Sequence, residues 1–408
     1  MTATFCKHYF IILLILFNLK VNSQNPIVDY LKSKNTKTEQ VIDSIINFYY
    51  TSRLHKPFIS RLSLRTETDE FKLNRQEYSL RAQTNSISYN KYQNKINKLE
   101  QEEWEIKKKI LNTDQLYKKY KVVTKLLGVL MLKNAQSQYI KCIEKQLEIL
   151  NYRSGMGLNI NFEKHLDLNL KLLNAKNEFN NLNTKQSILQ IDSLLNHKLD
   201  FLLNKLISNE DILKVTDQLY VLDSNNSLYF NELNKQQLEY KQEIRDATKK
   251  LDYLQIHYHE DPSDPVNQKL TIGAGFRIPM MGSNQKIKDE YEIKRLSLSL
   301  EQLQENDDTE LKLVELKNQL KQLIATYDNL VENQRFVLQK FNPDTLASSE
   351  LSDPVFIAEI QLELAKINID QVEIRNDILE LYIQFISTSK TLYNNPDRYY
   401  LEFPFIEF

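Results

Sequence analysis

A long stretch without helix breakers constrains this chain more than any other feature, because no proline occurs between Pro57 and Pro262. From Ser86 to about Leu150 the sequence is rich in Lys, Glu, Leu, Ile, Asn and Gln, and Gly128 is its one glycine. Proline and glycine are the residues that most disfavour a helix interior. The segment therefore predicts one continuous helix of about 97 Å, at about 1.5 Å per residue.

Two later segments carry a heptad pattern. Mostly apolar residues alternate in steps of three and four from Leu313 to Phe341, and again from Ile360 to Leu392. A period of about 3.5 residues favours left-handed supercoiling of a helix against its neighbours. The sequence thus predicts long coiled-coil-like helices. Their expected bounds are 86–150, 160–207, 283–341 and 355–393.

Four shorter segments alternate with period two, which places their apolar residues on one face of a strand. In 252–260 the apolar members are Leu254, Ile256 and Tyr258. The next segment continues the pattern after a loop with two prolines, and the pair predicts a β-hairpin over 252–279. A similar but less regular pair predicts an earlier hairpin over 58–82.

The order helix, hairpin, long helix, turn and helix occurs twice. We expect a first repeat over 24–207, a second over 208–395 and a tail over 396–408. Strands of about 9–11 residues with one apolar and one polar face have the size that crosses an outer membrane in a closed barrel. Open sheet edges do not occur in lipid, so we expect several copies of the chain to close the barrel together. The predicted fold class is mainly α with a small β part.

The first residues have the order of a secretory signal peptide. Lys7 and His8 precede an apolar run over 9–19, and Val21-Asn22-Ser23 supplies a small-residue cleavage site. We expect cleavage after Ser23, so that 1–23 is the signal peptide. The alternative is an anchoring helix, but the run is shorter than the roughly 20 residues that a bilayer requires.

Composition argues against several classes of function. The formal charge is −1, from 53 basic and 54 acidic residues, so no net basic field attracts nucleic acid. The chain has no phosphate-binding loop, nucleophile elbow, metalloprotease helix or dinucleotide fingerprint. We therefore expect no enzyme activity, no cofactor and no nucleic-acid partner.

Two motifs identify a family. The segment 270–282 reads as a strand that ends in Ile278-Pro279-Met280-Met281-Gly282 before a long helix, and Tyr152-Arg153-Ser154-Gly155 forms a tyrosine-x-x-glycine turn after another. Together with the duplicated layout, these motifs resemble the TolC-like outer-membrane efflux protein family. The resemblance implies a homotrimeric α/β barrel in the outer membrane that extends into the periplasm. Its implied partners are lipid, a periplasmic adaptor and an inner-membrane pump.

The same resemblance suggests roles for individual residues. It makes Pro279 and Gly282 a structural turn, and it places a periplasmic tip and docking surface after the first long helix. The second tip departs from the family, since 341–354 has two prolines and no glycine. Acidic residues in that turn are candidates for a gate, the alternative being ordinary solvated turn residues. The tip residues are Arg153, Gly155, Gly157 and Leu158, and the candidate acidic gate is Asp344, Glu350 and Asp353.

The polar faces of the strands supply the candidate channel lining. Those residues are Arg61, Arg65, His257, His259 and Arg277. The run His257-Tyr258-His259-Glu260-Asp261 also offers ligand types that zinc or copper uses. Strand geometry separates the two histidines by about 7 Å, which favours lumen lining over a metal site.

Two functions follow. The first is a passive conduit in a tripartite efflux or type I secretion-like export system, carrying small molecules or cations while an inner-membrane pump supplies the energy. The second is a non-conducting coiled-coil structural or interaction protein of the outer membrane or periplasm that keeps the fold. An open pore in the reconstituted protein distinguishes them.

Overall fold

Helices make up most of the described chain, and a small antiparallel sheet accompanies them. The predicted fold class, mainly α with two β-hairpins, is therefore confirmed. The predicted signal peptide, 1–23, lies outside the described residues. The computed structural model describes residues 26–33, 36–51, 57–68, 76–85, 89–157, 162–189, 205–218, 227–248, 251–260, 269–276, 284–347 and 353–407.

The elements are numbered in chain order. The helices are α1 (Pro26–Lys32), α2 (Thr36–Thr51), α3 (Tyr89–Gly155), α4 (Phe162–Leu189), α5 (Asn209–Gln218), α6 (Ser227–Ala247), α7 (Gln285–Lys340), α8 (Pro343–Ala347), α9 (Pro354–Thr388) and α10 (Thr391–Asn394). The strands are β1 (Ile59–Thr68), β2 (Gln76–Thr84), β3 (Leu251–Glu260), β4 (Lys269–Phe276), β5 (Arg398–Tyr399) and β6 (Ile406–Glu407).

The chain divides into two compact units. The first comprises Met1–Lys34, Asn112–Leu222 and Thr309–Phe408, and the second comprises Asn35–Leu111 and Asp223–Asp308. Each unit combines segments from both of the predicted sequence repeats. The division into repeats over 24–207 and 208–395 therefore stays a prediction.

Helix α3 spans 67 residues and includes residues 89–150 of the segment predicted to be one continuous helix. Gly128, in its interior, has a packing reason. A Cβ atom at Gly128 would lie 1.9 Å from Oδ1 of Asn376 on α9. Gly128 therefore leaves room for the side chain of Asn376 against α3 within the first unit.

The heptad positions form the core of the first unit. Leu313, Leu316 and Leu320 of α7 are buried, and so is Ile378 of α9. Two polar heptad positions bond to each other, since Gln371 Nε2 donates to Gln334 Oε1 at 3.1 Å. A paired amide removes the cost of an unsatisfied buried polar group, so the polar interruptions of the pattern are compatible with the core.

Residues after α10 complete this core. The hydroxyl of Tyr120 on α3 donates to the carbonyl oxygen of Arg398 at 3.0 Å and accepts from the backbone N–H of Tyr400 at 3.2 Å. Tyr400 is buried, and its own hydroxyl donates to the Asn395 carbonyl oxygen at 2.9 Å. Burial raises the pKa of Tyr400 to about 12, so the phenol remains a hydrogen-bond donor well into the alkaline range.

Two predicted helix ends differ from the structure. The helix expected over 355–393 is interrupted after Thr388, where Lys390 adopts a left-handed backbone with φ of 59°. In the segment expected to be helical to residue 207, residues 205–208 are not helical. Ser208 explains the second difference, because its Oγ accepts from the Asp211 backbone N–H at 3.1 Å and thereby starts α5.

Two buried tyrosines of the first unit form a matched pair for a stability test. Tyr382 is fully buried and its hydroxyl has no hydrogen-bond partner among the described groups, whereas the Tyr120 hydroxyl has two. We expect Tyr120→Phe to lower the free energy of unfolding by about 1 kcal/mol and Tyr382→Phe to leave it unchanged or raise it. Thermal unfolding of the purified variants, followed by circular dichroism, measures the difference. Equal loss in both variants would contradict the assigned bonds.

Candidate functional site

The sheet of the second unit combines both hairpins in the order β1-β2-β3-β4, with every neighbouring pair antiparallel. Residues directly opposite each other in such pairs project from the same face. The register therefore decides which side chains of four strands share a surface. β1 and β4 are the edges of this sheet.

One face of the sheet is apolar across all four strands. Its aliphatic side chains are mostly exposed, with Leu64 at 69% and Ile272 at 75% of full accessibility, while Tyr78 and Tyr258 are half-buried. A solvent-exposed face of this size is unusual for a stable soluble surface. From β1 to β4, its rows are Thr66, Tyr78, Tyr258 and Leu270; Leu64, Leu80, Ile256 and Ile272; and Leu62, Ala82, Leu254 and Ala274.

The opposite face is polar and carries the predicted lining residues. Arg61, Arg65, His257 and His259 are brought onto this one face, while Arg277 lies outside the described residues. Their role as channel lining stays a prediction. From β1 to β4, the rows of described side chains are Glu67, Glu77 and His259; Arg65, Ser79, His257 and Thr271; Ser63, Arg81, Gln255 and Gly273; and Arg61, Gln83, Tyr253 and Gly275.

Glu77 connects the two histidines. Its Oε2 lies 3.2 Å from His257 Nε2, and its Oε1 lies 2.9 Å from His259 Nδ1. The carboxylate therefore bridges imidazoles that belong to successive positions on one face of β3. Within the described residues, no group of three or more His, Cys, Asp or Glu side chains is arranged to hold a metal ion.

A stack of three residues crosses the polar face where β2, β3 and β4 adjoin. The guanidinium carbon of Arg81 lies 3.5 Å from the ring centroid of Tyr253. The same ring covers Gly275, since a Cβ there would lie 2.1 Å from Tyr253 Cε1. Sequence reasoning missed this group, although a glycine opposite an aromatic residue in a predicted hairpin is a signal for it.

The predicted tips lie in the first unit. Gly157 has a positive φ of 73°, which explains the glycine, and Gly155 has open space where a Cβ would be. Arg153 at the end of α3 forms an ion pair with Asp353, and Lys164 of α4 pairs with Glu359 of α9. The first helical hairpin is thus joined to the start of α9 by charged contacts that the sequence did not predict.

Asp353 has two structural partners. Besides pairing with Arg153, its Oδ1 accepts from the Val355 backbone N–H at 2.9 Å and caps the N-terminus of α9. Asp344 lies in the short helix α8 with an exposed side chain. The gate role of these carboxylates stays a prediction. Leu158, Glu350, Pro279 and Gly282 lie outside the described residues.

Comparison with solved structures identifies the fold. The outer membrane protein VceC of Vibrio cholerae superposes with a TM-score of 0.59 at 10% identity, covering 89% of this chain and 95% of that protein. The chain has the fold of outer-membrane channels. The CmeC channel of Campylobacter jejuni superposes with a TM-score of 0.53 at 12% identity, covering 89% of this chain and 84% of CmeC. The outer-membrane channel OprN superposes with a TM-score of 0.54 at 10% identity, covering 89% of this chain and 88% of OprN.

These likenesses confirm the TolC-like fold inferred from the two turn motifs and the duplicated layout, and the low identities make this chain a divergent example of it. No protein-family model matches the sequence, and no curated protein is similar to it at the sequence level. None of the described helices has the length and apolar character needed to cross a membrane.

The two roles of Asp353 are separable by mutation. Asparagine is as good an N-cap as aspartate, whereas alanine loses the cap at a cost of about 1 kcal/mol. We expect Asp353→Ala to speed amide hydrogen exchange in the first turn of α9 and Asp353→Asn to change it little, because a half-exposed ion pair adds little stability. Mass-spectrometric exchange of Val355 and its neighbours measures this. Equal acceleration in both variants would make the ion pair with Arg153 the dominant contact.

Proposed function

We propose that this chain is the subunit of a homotrimeric outer-membrane conduit for export. The main support for this proposal is the four-stranded sheet, which has an exposed apolar face, a charged opposite face and two edge strands. The apolar face of such a sheet is buried if it meets lipid, and the backbone groups of its edge strands are hydrogen-bonded if they pair with other copies of the chain. Three copies of this four-stranded sheet would form a closed twelve-stranded barrel.

The proposed activity is passive. The conduit is a water-filled exit for small molecules or cations, while an inner-membrane pump supplies energy and a periplasmic adaptor connects the two. The predicted signal peptide and the similarity to the VceC, CmeC and OprN channels support a location in the outer membrane with helices extending into the periplasm. No catalytic step is needed for this role.

The proposed tip has a docking surface and a gate. Arg153, Gly155 and Gly157 belong to the turn that would meet the adaptor, and three copies of Asp344 would form a negative constriction that favours cations. The charge of Asp353 is opposed by Arg153, so Asp344 is the more effective member of the described pair.

Reconstitution tests the conduit directly. We expect the purified, full-length protein to give discrete conductance steps in a planar lipid bilayer and to cross-link as a trimer in native membranes. A folded trimer that never conducts would favour the non-conducting structural protein, and monomers alone would contradict the closed barrel.

The gate is tested in the same bilayers with a salt gradient. We expect Asp344→Asn to move the reversal potential away from the cation-selective direction, because the negative ring loses its charge. Asp353→Asn is the matched control and should have a smaller effect. An unchanged reversal potential in conducting Asp344→Asn channels would leave the tip as a docking surface only.

The lipid-facing assignment is tested by a pair of neighbouring residues. Ile272 lies in the middle row of the apolar face and Thr271 on the polar face. We expect Ile272→Arg to destabilise the inserted barrel by roughly 2–4 kcal/mol near the bilayer midplane and Thr271→Arg to have little effect. Urea titration of the protein refolded in lipid vesicles measures both. Equal damage would show that this segment is not a membrane strand.

A further inference from the structure

The charges on the polar face of the sheet are unevenly distributed. Among the described side chains of this face, two are carboxylates, Glu67 and Glu77. Both lie in the row nearest the β1–β2 connection. Glu67 pairs with Arg65, and Glu77 is held between the two histidines. In the rows beyond Arg65, the described charged side chains are cationic only.

Three arginines adjoin on this face. Arg81 of β2 lies opposite Ser63, so Arg61 and Arg65 of β1 are its two diagonal neighbours. Diagonal positions in an antiparallel pair are about 7–8 Å apart, within reach of one another's long side chains. Like charges at neighbouring positions repel each other, and an anion bound between them would relieve that repulsion. Within the described residues, no carboxylate forms an ion pair with Arg61 or Arg81.

Packing against Tyr253 fixes the position of the Arg81 side chain. Its guanidinium lies 3.5 Å from the Tyr253 ring centroid, and that ring lies over Gly275, where no side chain displaces it. Stacking on an aromatic face fixes a guanidinium without neutralising its charge. The edge donors of the stacked group remain available to a planar or tetrahedral oxyanion.

We propose that Arg61 and Arg81, with Tyr253 as the platform, form an oxyanion-binding surface that takes carboxylate, phosphate or sulfonate groups. The inference rests on the proposed conduit for its location in a lumen, but the binding itself does not require conduction. It makes the sheet end of the conduit attractive to anions, in contrast to the negative ring proposed at the tip.

Dye binding tests the surface on the purified full-length protein in detergent. The probe is pyranine, a trisulfonated fluorescent dye, and the readout is its anisotropy. We expect saturable binding that weakens about tenfold or more in Arg61→Gln with Arg81→Gln, because the double variant removes both charged hydrogen-bond donors. Gln83→Ala changes the same face without changing its charge and should bind normally. Arg81→Lys should bind more weakly than wild type, because an ammonium lacks the planar donors.

Reversal potentials supply the second measurement. Under a potassium chloride gradient, the double arginine variant should shift toward cation preference relative to wild type, and Glu77→Gln should shift the other way. Absence of pyranine binding to wild type, or equal binding to the double variant, would overturn the oxyanion surface. If binding follows the prediction and no channel conducts, the surface stands and the conduit fails. If channels conduct and neither binding nor reversal potential depends on the arginines, the conduit stands and the surface fails.

Discussion

The strict alternation of the four-stranded sheet is the constraint on which the proposed function depends. Because the register keeps Leu64, Leu80, Ile256 and Ile272 in one row, the aliphatic side chains share one face, and the arginines and histidines share the other. A slip of one residue in any strand would exchange the two sets. The proposed function therefore places lipid on one side of the sheet, water on the other and strand partners at both edges.

Much of the fold could be predicted because it follows from local rules. The scarcity of proline and glycine predicted α3, and period two predicted both hairpins within a few residues of their ends. Gly128 required a contact with Asn376, more than 200 positions away, and no local pattern reports such a contact. The end of the helix expected to reach residue 207 was missed for a different reason, since Ser208 and Asp211 form a capping pair that the sequence did display.

The candidate site was also predictable only as far as local rules reach. Alternation placed Arg61 with Arg65 on one face of β1 and His257 with His259 on one face of β3, since orientation within a strand depends on position alone. Which partners they meet depends on the register between strands, so the bridge from Glu77 and the stacking of Arg81 on Tyr253 required the structure. Arg153 and Asp353 are 200 positions apart in the sequence, so no local sequence pattern could predict their pairing.

The hydrogen bonds of Tyr120 also impose an order on biogenesis. The phenol of Tyr120 and the backbone it binds at Arg398 are 278 positions apart, so the first unit cannot close its core until all of the intervening chain has been synthesised. Contacts of such long range close late in folding. Until then, the apolar surfaces of α3 and α9 that belong to this core stay uncovered, and an incomplete chain is prone to aggregation.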